Sequence, residues 1–596
     1  MTTILAEITP GHQQIALVAG GSDPEVTAVA AKKLQTLTPL FSKSDPPGGL
    51  VVPATWPAVV QLAETFGAAW HPGPVLQEWI REQVTARTAA PPTLYTPPDG
   101  LTPFPWQSTG AAMIAATGAA LITDEPGTGK TITAILGLVE RASITAQDGP
   151  ALVICPASVI DSWVDAWRTW APHVRTVAWR GTPKVRHALA GTADVYVTSY
   201  ETARTDSPSG KKGVLTQLGA QYVVVDECHL IKNPTSARSQ AVRRLTKKAT
   251  GAVVALSGTP ITHHPGDLWA SLDAISHDAW PSRERWVKRY CTTLETDYRQ
   301  EILGLAPHAE EEFRLTLLGQ QRRVAKADVL TQLPPKVYSV RTVDLTPTWR
   351  KAYDEFEGQM LATLPEGAGE LSVMDVLAKV NHLFALASAP ADVEITFGPD
   401  VSEVTGQPKE HVHLELKAPS WKVDALLEIL EEHRTDEGRS PIVAFAPSRQ
   451  LMMLAGKAAT AAGYTVGYVV GEQTPKARTE AVRAFQAGEL DLICVTTGAG
   501  GVGITLTAAR TCVFLQRPWS LVEAMQAEDR CHRIGSERHD SIEVIDIVAR
   551  NTIDTRVRAV LRERAGQLSD LVQDPRVAAE LLGGSTNTDN LERQAS

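Results

Sequence analysis

Beyond residue 104 the chain alternates short apolar runs with longer stretches in which apolar residues recur at helical spacing. The runs at 120–122, 152–154, 195–197, 222–225 and 253–256 are rich in Val, Ile and Leu and lack polar alternation. Strands buried on both faces read this way, and the helical stretches between them predict crossovers onto a parallel sheet. The pattern returns at 442–445, 465–470, 492–495, 512–515 and 542–547, so a second parallel-sheet unit follows the first. Between them, 264–340 reads as mainly helical and 341–440 as mixed.

The first hundred residues read as a separate module: strands at 4–8, 14–18 and 49–53, and helices at 23–37 and 55–66. Val26, Val29, Ala30 and Leu34 fall on one face of the first helix, and Val59, Leu62 and Phe66 on one face of the second. Pro91, Pro92, Pro97, Pro98 and Pro103 then form a linker that cannot be helical. The expected organisation is an N-terminal α+β module (1–95), a nucleotide-binding lobe (96–263), a helical connector (264–340), a mixed lead-in (341–415), a second lobe (416–570) and a polar tail (571–596). The fold class is α/β.

A length of 596 residues calls for about four folding units, which accommodates this division. Hydrophobic residues at 43% and charged residues at 21% are ordinary globular usage. No run approaches the roughly 18–20 apolar residues of a membrane span, and no secretory signal is visible at the N-terminus. A cytoplasmic protein is expected. Cys155, Cys228, Cys291, Cys494, Cys512 and Cys531 form no CxxC pair, which argues against a disulfide framework or a zinc module. The net charge of −10 gives no global argument for a nucleic-acid partner, so such a partner must be argued from local sites.

The strongest local signal is Asp124-Glu-Pro-Gly-Thr-Gly-Lys-Thr131, placed between a predicted strand and a helix. Gly127, Thr128 and Gly129 would turn backbone N–H groups toward a polyphosphate at a helix N-terminus. Lys130 would reach the β- and γ-phosphates of ATP, and the Thr131 hydroxyl would meet Mg²⁺. Asp226-Glu227-Cys228-His229 ends another predicted strand. Two adjacent acids there need a cation: Asp226 suits Mg²⁺, and Glu227 suits the water that attacks the γ-phosphate. Farther on, Gln526, Arg530 and Arg533 are spaced i, i+4, i+7, so a helix would put all three on one face, with the two arginines able to meet transition-state charge.

Together these residues resemble the Swi/Snf-type ATPases, a branch of the superfamily two helicase-like motors. DEPGTGKT is similar to the family's phosphate loop, with Asp124 in the family pattern. The resemblance continues through DECH at 226–229, Ser257-Gly-Thr-Pro260, Arg322-Arg323 leading to Leu333-Pro-Pro-Lys336, Thr497-Gly-Ala-Gly-Gly-Val-Gly503 and Gln526-Ala-Glu-Asp-Arg-Cys-His-Arg-Ile-Gly535. Gln107 stands where the family reads adenine, which a side-chain amide can do. The resemblance implies two tandem RecA-like lobes, ATP and Mg²⁺ as cofactors, and duplex or branched DNA as partner. Thr259 would couple nucleotide state to DNA contact, and Ser158, Thr198, Thr474, Thr497 and Gly500 fall near backbone-contacting stretches, where hydroxyls and N–H groups bind phosphate without reading sequence. Trp286-Val-Lys-Arg-Tyr-Cys291 and the order of the N-terminal elements look most like the HARP-type annealing branch. The composition is compatible with a GC-rich bacterial or viral genome.

Three stretches depart from the family: Ser536 follows Gly535, Arg517-Pro-Trp-Ser520 replaces a DxxWNP stretch, and Ala446-Pro447 replaces a Phe-Gln pair. Two basic clusters, Arg238/Arg243/Arg244/Lys247/Lys248 and Arg283/Arg285/Lys288/Arg289, are candidate phosphate contacts. His411 and His413 lack further metal ligands. A motor on duplex DNA that remodels or reanneals it is the leading expectation. Its competitors are a single-strand DNA or RNA helicase and an ATP-switched DNA-binding scaffold.

Overall fold

The computed structural model describes residues 3–9, 14–20, 42–43, 49–88, 95–146, 149–208, 213–261, 265–277, 279–280, 282–295, 300–318, 320–362, 373–401, 408–435, 438–471, 473–500, 504–559 and 561. The sequence-predicted helix at 23–37, the whole polar tail at 571–596 and residues 501–503 lie outside them. Two compact units divide the chain, Met1–Val329 and Leu330–Ser596.

The first unit opens with a small sheet of β1 (Thr3–Ile8), β2 (Gln14–Gly20), β3 (Ser42–Lys43), β4 (Gly49–Pro53) and β5 (Trp70–Pro72), in the order β3-β4-β2-β1-β5. Inward residues Ile4, Ala6, Ile8, Ile15 and Leu17 alternate along β1 and β2, as period-two strands with one buried face require. They pack with Val59 and Leu62 of the helix Trp56–Phe66, whose Thr55 side chain caps Ala58 N–H. That helix also docks within the unit: Trp56 Nε1 donates to Leu315 O at 3.3 Å, and Gln61 Nε2 donates to the Tyr290 hydroxyl at 3.2 Å.

A seven-stranded parallel sheet follows, of β6 (Ala119–Ile122), β7 (Ala151–Cys155), β8 (Thr176–Ala178), β9 (Val195–Ser199), β10 (Tyr222–Asp226), β11 (Ala252–Leu256) and β14 (Gln321–Arg322), ordered β14-β6-β11-β10-β7-β9-β8. The central strands are buried along their whole length, which is why they carry no polar alternation. The segment expected to be a helical connector is more varied. It contains a hairpin, β12 (Cys291–Glu295) with β13 (Gln300–Leu305), and it supplies edge strands to both large sheets. Such edges escape the apolar-run pattern because one side faces solvent: β15 (Lys336–Val343) mixes Lys, Ser, Arg and Thr among its apolar residues and is only partly buried, with Val337 and Val340 exposed.

In the second unit β15 joins β20 (Ile442–Ala446), β21 (Val466–Val469), β22 (Leu492–Thr496), β23 (Thr511–Phe514) and β24 (Ile542–Ala549) in a parallel sheet ordered β15-β24-β23-β20-β22-β21. Successive residues serve opposite faces. Ile442, Ala444, Leu492, Cys494 and Val513 enter one core, while Val443, Phe445, Ile493, Val495 and Phe514 enter the other. Two hairpins, β16 (Ala391–Val401) with β17 (Pro408–Leu416) and β18 (Arg434–Thr435) with β19 (Gly438–Arg439), complete the described strands. Both large sheets carry helices on their crossovers, giving the expected α/β class. Among the described residues no helix is long and apolar enough to cross a membrane.

Candidate active site

The phosphate-loop residues leave the carboxyl end of β6, and the acid pair leaves the carboxyl end of β10, with only β11 between them. Open parallel sheets place their ligand sites at these ends. Gly127 and Gly129 both have φ of +88°, a left-handed conformation that favours glycine and turns the loop into the helix Lys130–Thr145. A Cβ on Gly129 would overlap the Gln107 amide. Lys130 reaches back into the loop, its Nζ donating to Asp124 O at 2.7 Å and Glu125 O at 3.2 Å. Thr128 is buried, its hydroxyl donating to Glu125 O, and Thr131 is partly exposed one residue beyond Lys130.

Gln107 supports the loop from below. Its Nε2 donates to Thr128 O at 3.1 Å, its Oε1 accepts from Phe104 N–H at 3.0 Å, and Trp106 Nε1 meets the same Thr128 carbonyl. Both ends of this amide are committed within the protein and the residue is 1% exposed, so here it braces the loop.

Asp226 Oδ2 accepts from Trp163 Nε1 at 2.8 Å, and Oδ1 from Glu227 N–H at 3.0 Å. Burial, then the neighbouring Glu227 carboxylate, push its pKa up to about 6, while Trp163 and the Lys130 ammonium act in the opposite sense. Glu227 has a φ of +53°, rare for a residue with a side chain. The Tyr200 hydroxyl holds this bend by donating to Asp226 O at 2.5 Å. A polar chain then leaves the acid: Glu227 Oε2 lies 3.3 Å from His229 Nδ1, which lies 3.1 Å from Ser257 Oγ, which accepts from Thr259 N–H at 3.1 Å. Thr259 is 3% exposed, and its hydroxyl has no hydrogen-bond partner among the described residues.

The return of the chain at β14 adds a clamp on the phosphate loop. Arg322 pairs with Asp124 at 2.7 Å and donates to Trp106 O at 2.6 Å, while Arg323 pairs with Glu125 at 3.2 Å. Asp124 is fully buried. Burial raises its pKa and Arg322 is the main opposing influence. The signal was the adjacent arginine pair; its target lies 198 residues away and has no local signature.

In the second unit Gln526 lies on the helix Leu521–Glu528, but Arg530 and Arg533 lie beyond its end. The expectation of one helical face bearing all three is therefore corrected. The helix gives way to turns in which Arg530 N–H donates to Ala527 O and Cys531 and His532 N–H both donate to Glu528 O, while the Arg530 carbonyl accepts from Leu506 N–H at 2.9 Å and Cys531 and His532 turn inward. Arg533 is mostly buried: dehydration lowers its pKa, Asp529 opposes this, and its guanidinium donates to Ile504 O at 3.4 Å.

The DNA-contact candidates divide. Ser158 is exposed on the turn after β7, and Thr474 is an exposed helix cap, accepting from Ala477 N–H at 3.3 Å. Thr497 is 2% exposed and opens the short helix that ends at Gly500. Thr198 is fully buried, with its hydroxyl donating to Trp179 O, so in this structure it offers nothing to a phosphate. Four members of the basic clusters are committed within the protein: Arg243 to Asp273, Arg244 to Ser207 O, Arg238 to Glu201 and Arg289 to Glu312.

Residues 85–390 match the SNF2-related domain, and residues 421–535 match the Helicase conserved C-terminal domain. TATA-binding protein-associated factor MOT1 of Saccharomyces cerevisiae is 24% identical over 502 residues, covering 76% of this chain and 26% of that protein. An uncharacterized ATP-dependent helicase of Mycoplasma pneumoniae is 26% identical over 460 residues, covering 76% and 40%. The SWI/SNF-related matrix-associated actin-dependent regulator of chromatin subfamily A member 1 of Mus musculus is 28% identical over 446 residues, covering 73% and 40%. The chain thus spans well under half the length of these relatives. The SWI2/SNF2 ATPase core of Sulfolobus solfataricus in complex with dsDNA is 22% identical, with 81% of this chain and 97% of that chain covered at a TM-score of 0.37, a likeness too low to argue from. With the SNF2-related match extending over more than half of its residues, the chain belongs to the SNF2-related family of helicase-like ATPases.

Proposed function

We propose that the chain is a DNA-dependent ATPase that moves along duplex or branched DNA and remodels or reanneals it. The observation that carries this reading is the placement of a phosphate loop and an acid pair at carboxyl ends of one sheet, one strand apart, with a chain of polar contacts running from Glu227 through His229 and Ser257 to Thr259. The Thr131 hydroxyl and the Asp226 carboxylate form a hard-oxygen donor set for Mg²⁺, and the elevated proton affinity of Asp226 beside Glu227 marks a place where a dication would relieve repulsion. When bound, the ion would neutralise charge on the β- and γ-phosphates.

The chain's own residues do the rest. Lys130 exchanges its two carbonyl partners for phosphate oxygens, with Gly127, Thr128 and Gly129 offering backbone N–H groups. Glu227 orients and polarises the attacking water, its carboxylate held near His229. Arg530 and Arg533 supply positive charge in the transition state, Gln526 serves nucleotide positioning, Gln107 acts on the nucleotide through the loop it braces, and Thr259 links hydrolysis to DNA grip through Ser257. Ser158, Thr474, Thr497 and Gly500 are the proposed backbone contacts, and the N-terminal sheet is the proposed HARP-like accessory module.

Steady-state ATP hydrolysis with Mg²⁺, compared across no nucleic acid, duplex, forked and single-stranded DNA and RNA, tests this reading. Stimulation mainly by duplex or forked DNA is expected, with Lys130→Ala inactive and Glu227→Gln at least about a hundred-fold slower. Stimulation by RNA or single strands alone would replace the proposal with a single-strand helicase. Full turnover by Glu227→Gln would remove the assigned mechanism.

A further inference from the structure

We propose that Arg517 is a positioning residue for hydrolysis, a fork that fixes the backbone point from which Arg530 and Arg533 project; this rests on the transition-state role given to those two arginines above. Arg517 lies in the connection between β23 and the helix Leu521–Glu528. Its Nε meets Asp546 Oδ1 of β24 at 2.6 Å, and a terminal nitrogen meets Glu528 Oε1 at 2.8 Å. Its carbon centre stands 4.3 Å above the Phe514 ring. One planar group thus ties the sheet to the last residue of the helix, two residues before Arg530.

The carboxylate at the helix end is fully committed. Glu528 is 1% exposed, and its second oxygen accepts from the Tyr338 hydroxyl at 2.8 Å and pairs with Lys336 Nζ at 3.4 Å. Lys336 opens β15, the first strand of the second unit, and stands 3.8 Å from Asp529. Arg558 shares Asp546 at 3.2 Å. Beyond Glu528 the chain runs on in tight turns: Arg530 N–H donates to Ala527 O at 3.1 Å, Cys531 and His532 N–H both donate to the Glu528 carbonyl at 3.0 Å, and Leu506 N–H closes on the Arg530 carbonyl. Glu528 is therefore where side-chain anchoring hands over to a turn. A lysine at 517 could satisfy one carboxylate, whereas the five donors of a guanidinium in a rigid plane satisfy both and stack on Phe514.

The test uses the full chain with Mg²⁺ and duplex DNA, comparing Arg517→Met, Arg517→Lys and Arg530→Ala with the unaltered protein. If Arg517 positions the arginines, Arg517→Met lowers kcat for ATP by about ten-fold, about 1.4 kcal/mol in the barrier. KM for ATP should stay within about two-fold, the mark of an interaction made in the transition state, and Arg517→Lys should recover part of kcat. Arg517→Met with kcat within two-fold of the unaltered protein overturns the proposal. So does a combined loss in kcat and KM that Arg517→Lys leaves unrelieved. If Arg517→Met does not fold, Glu528→Gln, which keeps shape and loses charge, is judged by the same kcat and KM criteria. A fast Arg530→Ala removes the role of the arginine segment and this inference with it. A slow Arg530→Ala beside a fast Arg517→Met removes the inference alone.

Discussion

Replacing Arg322 by methionine keeps most of the side chain's length and takes its charge away from a carboxylate with no access to water. Asp124 is 0% exposed, and Arg322 Nη1 lies 2.7 Å from its Oδ2; the other carboxylate oxygen has no hydrogen-bond partner among the described residues. At that distance and an effective dielectric of about 20, the attraction is about 6 kcal/mol, most of which offsets the drying of both charges. Removing one member of such a pair leaves the other stranded, at a net loss of about 3–5 kcal/mol. The sign of the pH dependence follows from burial. Asp124 already has a raised pKa with Arg322 pulling it down, so the variant raises it further. An acid whose folded pKa lies above its unfolded value stabilises the fold as pH falls through it. The deficit of Arg322→Met should therefore be largest near pH 8 and shrink toward pH 5. Adding Asp124→Asn should recover more than half of it at pH 8. Urea denaturation followed by tryptophan fluorescence across that range measures all three quantities. A deficit below about 1 kcal/mol, a deficit independent of pH, or an Asp124→Asn change that adds to the loss would refute the stranded-carboxylate account.

Gly129→Ala combines a left-handed backbone with overlap on the Gln107 amide. It should cost about 1–3 kcal/mol in the same denaturation assay and weaken nucleotide binding by calorimetry; an unchanged protein would mean the loop relaxes freely. Asp226 holds a proton up to about pH 6 when no cation is present. The Mg²⁺ concentration for half-maximal hydrolysis should then rise about ten-fold per pH unit below 6 and level off above 7, whereas a flat profile from pH 5 to 8 would exclude Asp226 as the ligand. Tyr200→Phe removes the hydroxyl that pins Asp226 O and should cost about 1–2 kcal/mol with a several-fold drop in kcat, a paired effect that loss of packing alone would not give.

What could be read from the residues divides along a physical line. The buried strands β7, β9, β10, β11, β20 and β22 stood out because parallel strands covered on both faces must be continuously apolar. The phosphate loop and acid pair stood out because their chemistry is local, confined to a few adjacent residues. Edge strands β8 and β14, three and two residues long, carry no periodicity to detect. Arg322 with Asp124, and Arg517 with Asp546, join positions far apart in the chain, and nothing in a run of letters marks a guanidinium's distant partner. The helix stop at Glu528 was hidden for a similar reason: Arg530 has helical spacing to Gln526, but the Leu506 N–H that captures its carbonyl comes from another segment.

The two flanks of β6 set one further condition on how this chain can change. Leu256 of β11 and Arg322 of β14 both stand opposite Ile122, one on each side, so the ends of the intervening segment are fixed about two strand spacings, or about 10 Å, apart. A segment anchored in this way can be lengthened or exchanged as a cassette at small entropic cost, because closure entropy grows only logarithmically with length. Several tethers limit that freedom: Arg243 pairs with Asp273, Thr246 meets His277, and from the N-terminal module Gln61 and Trp56 reach the cassette at Tyr290 and Leu315. A graft from a relative should therefore carry the N-terminal sheet and the 257–320 segment together, since either one transplanted alone would leave the buried Tyr290 hydroxyl without Gln61.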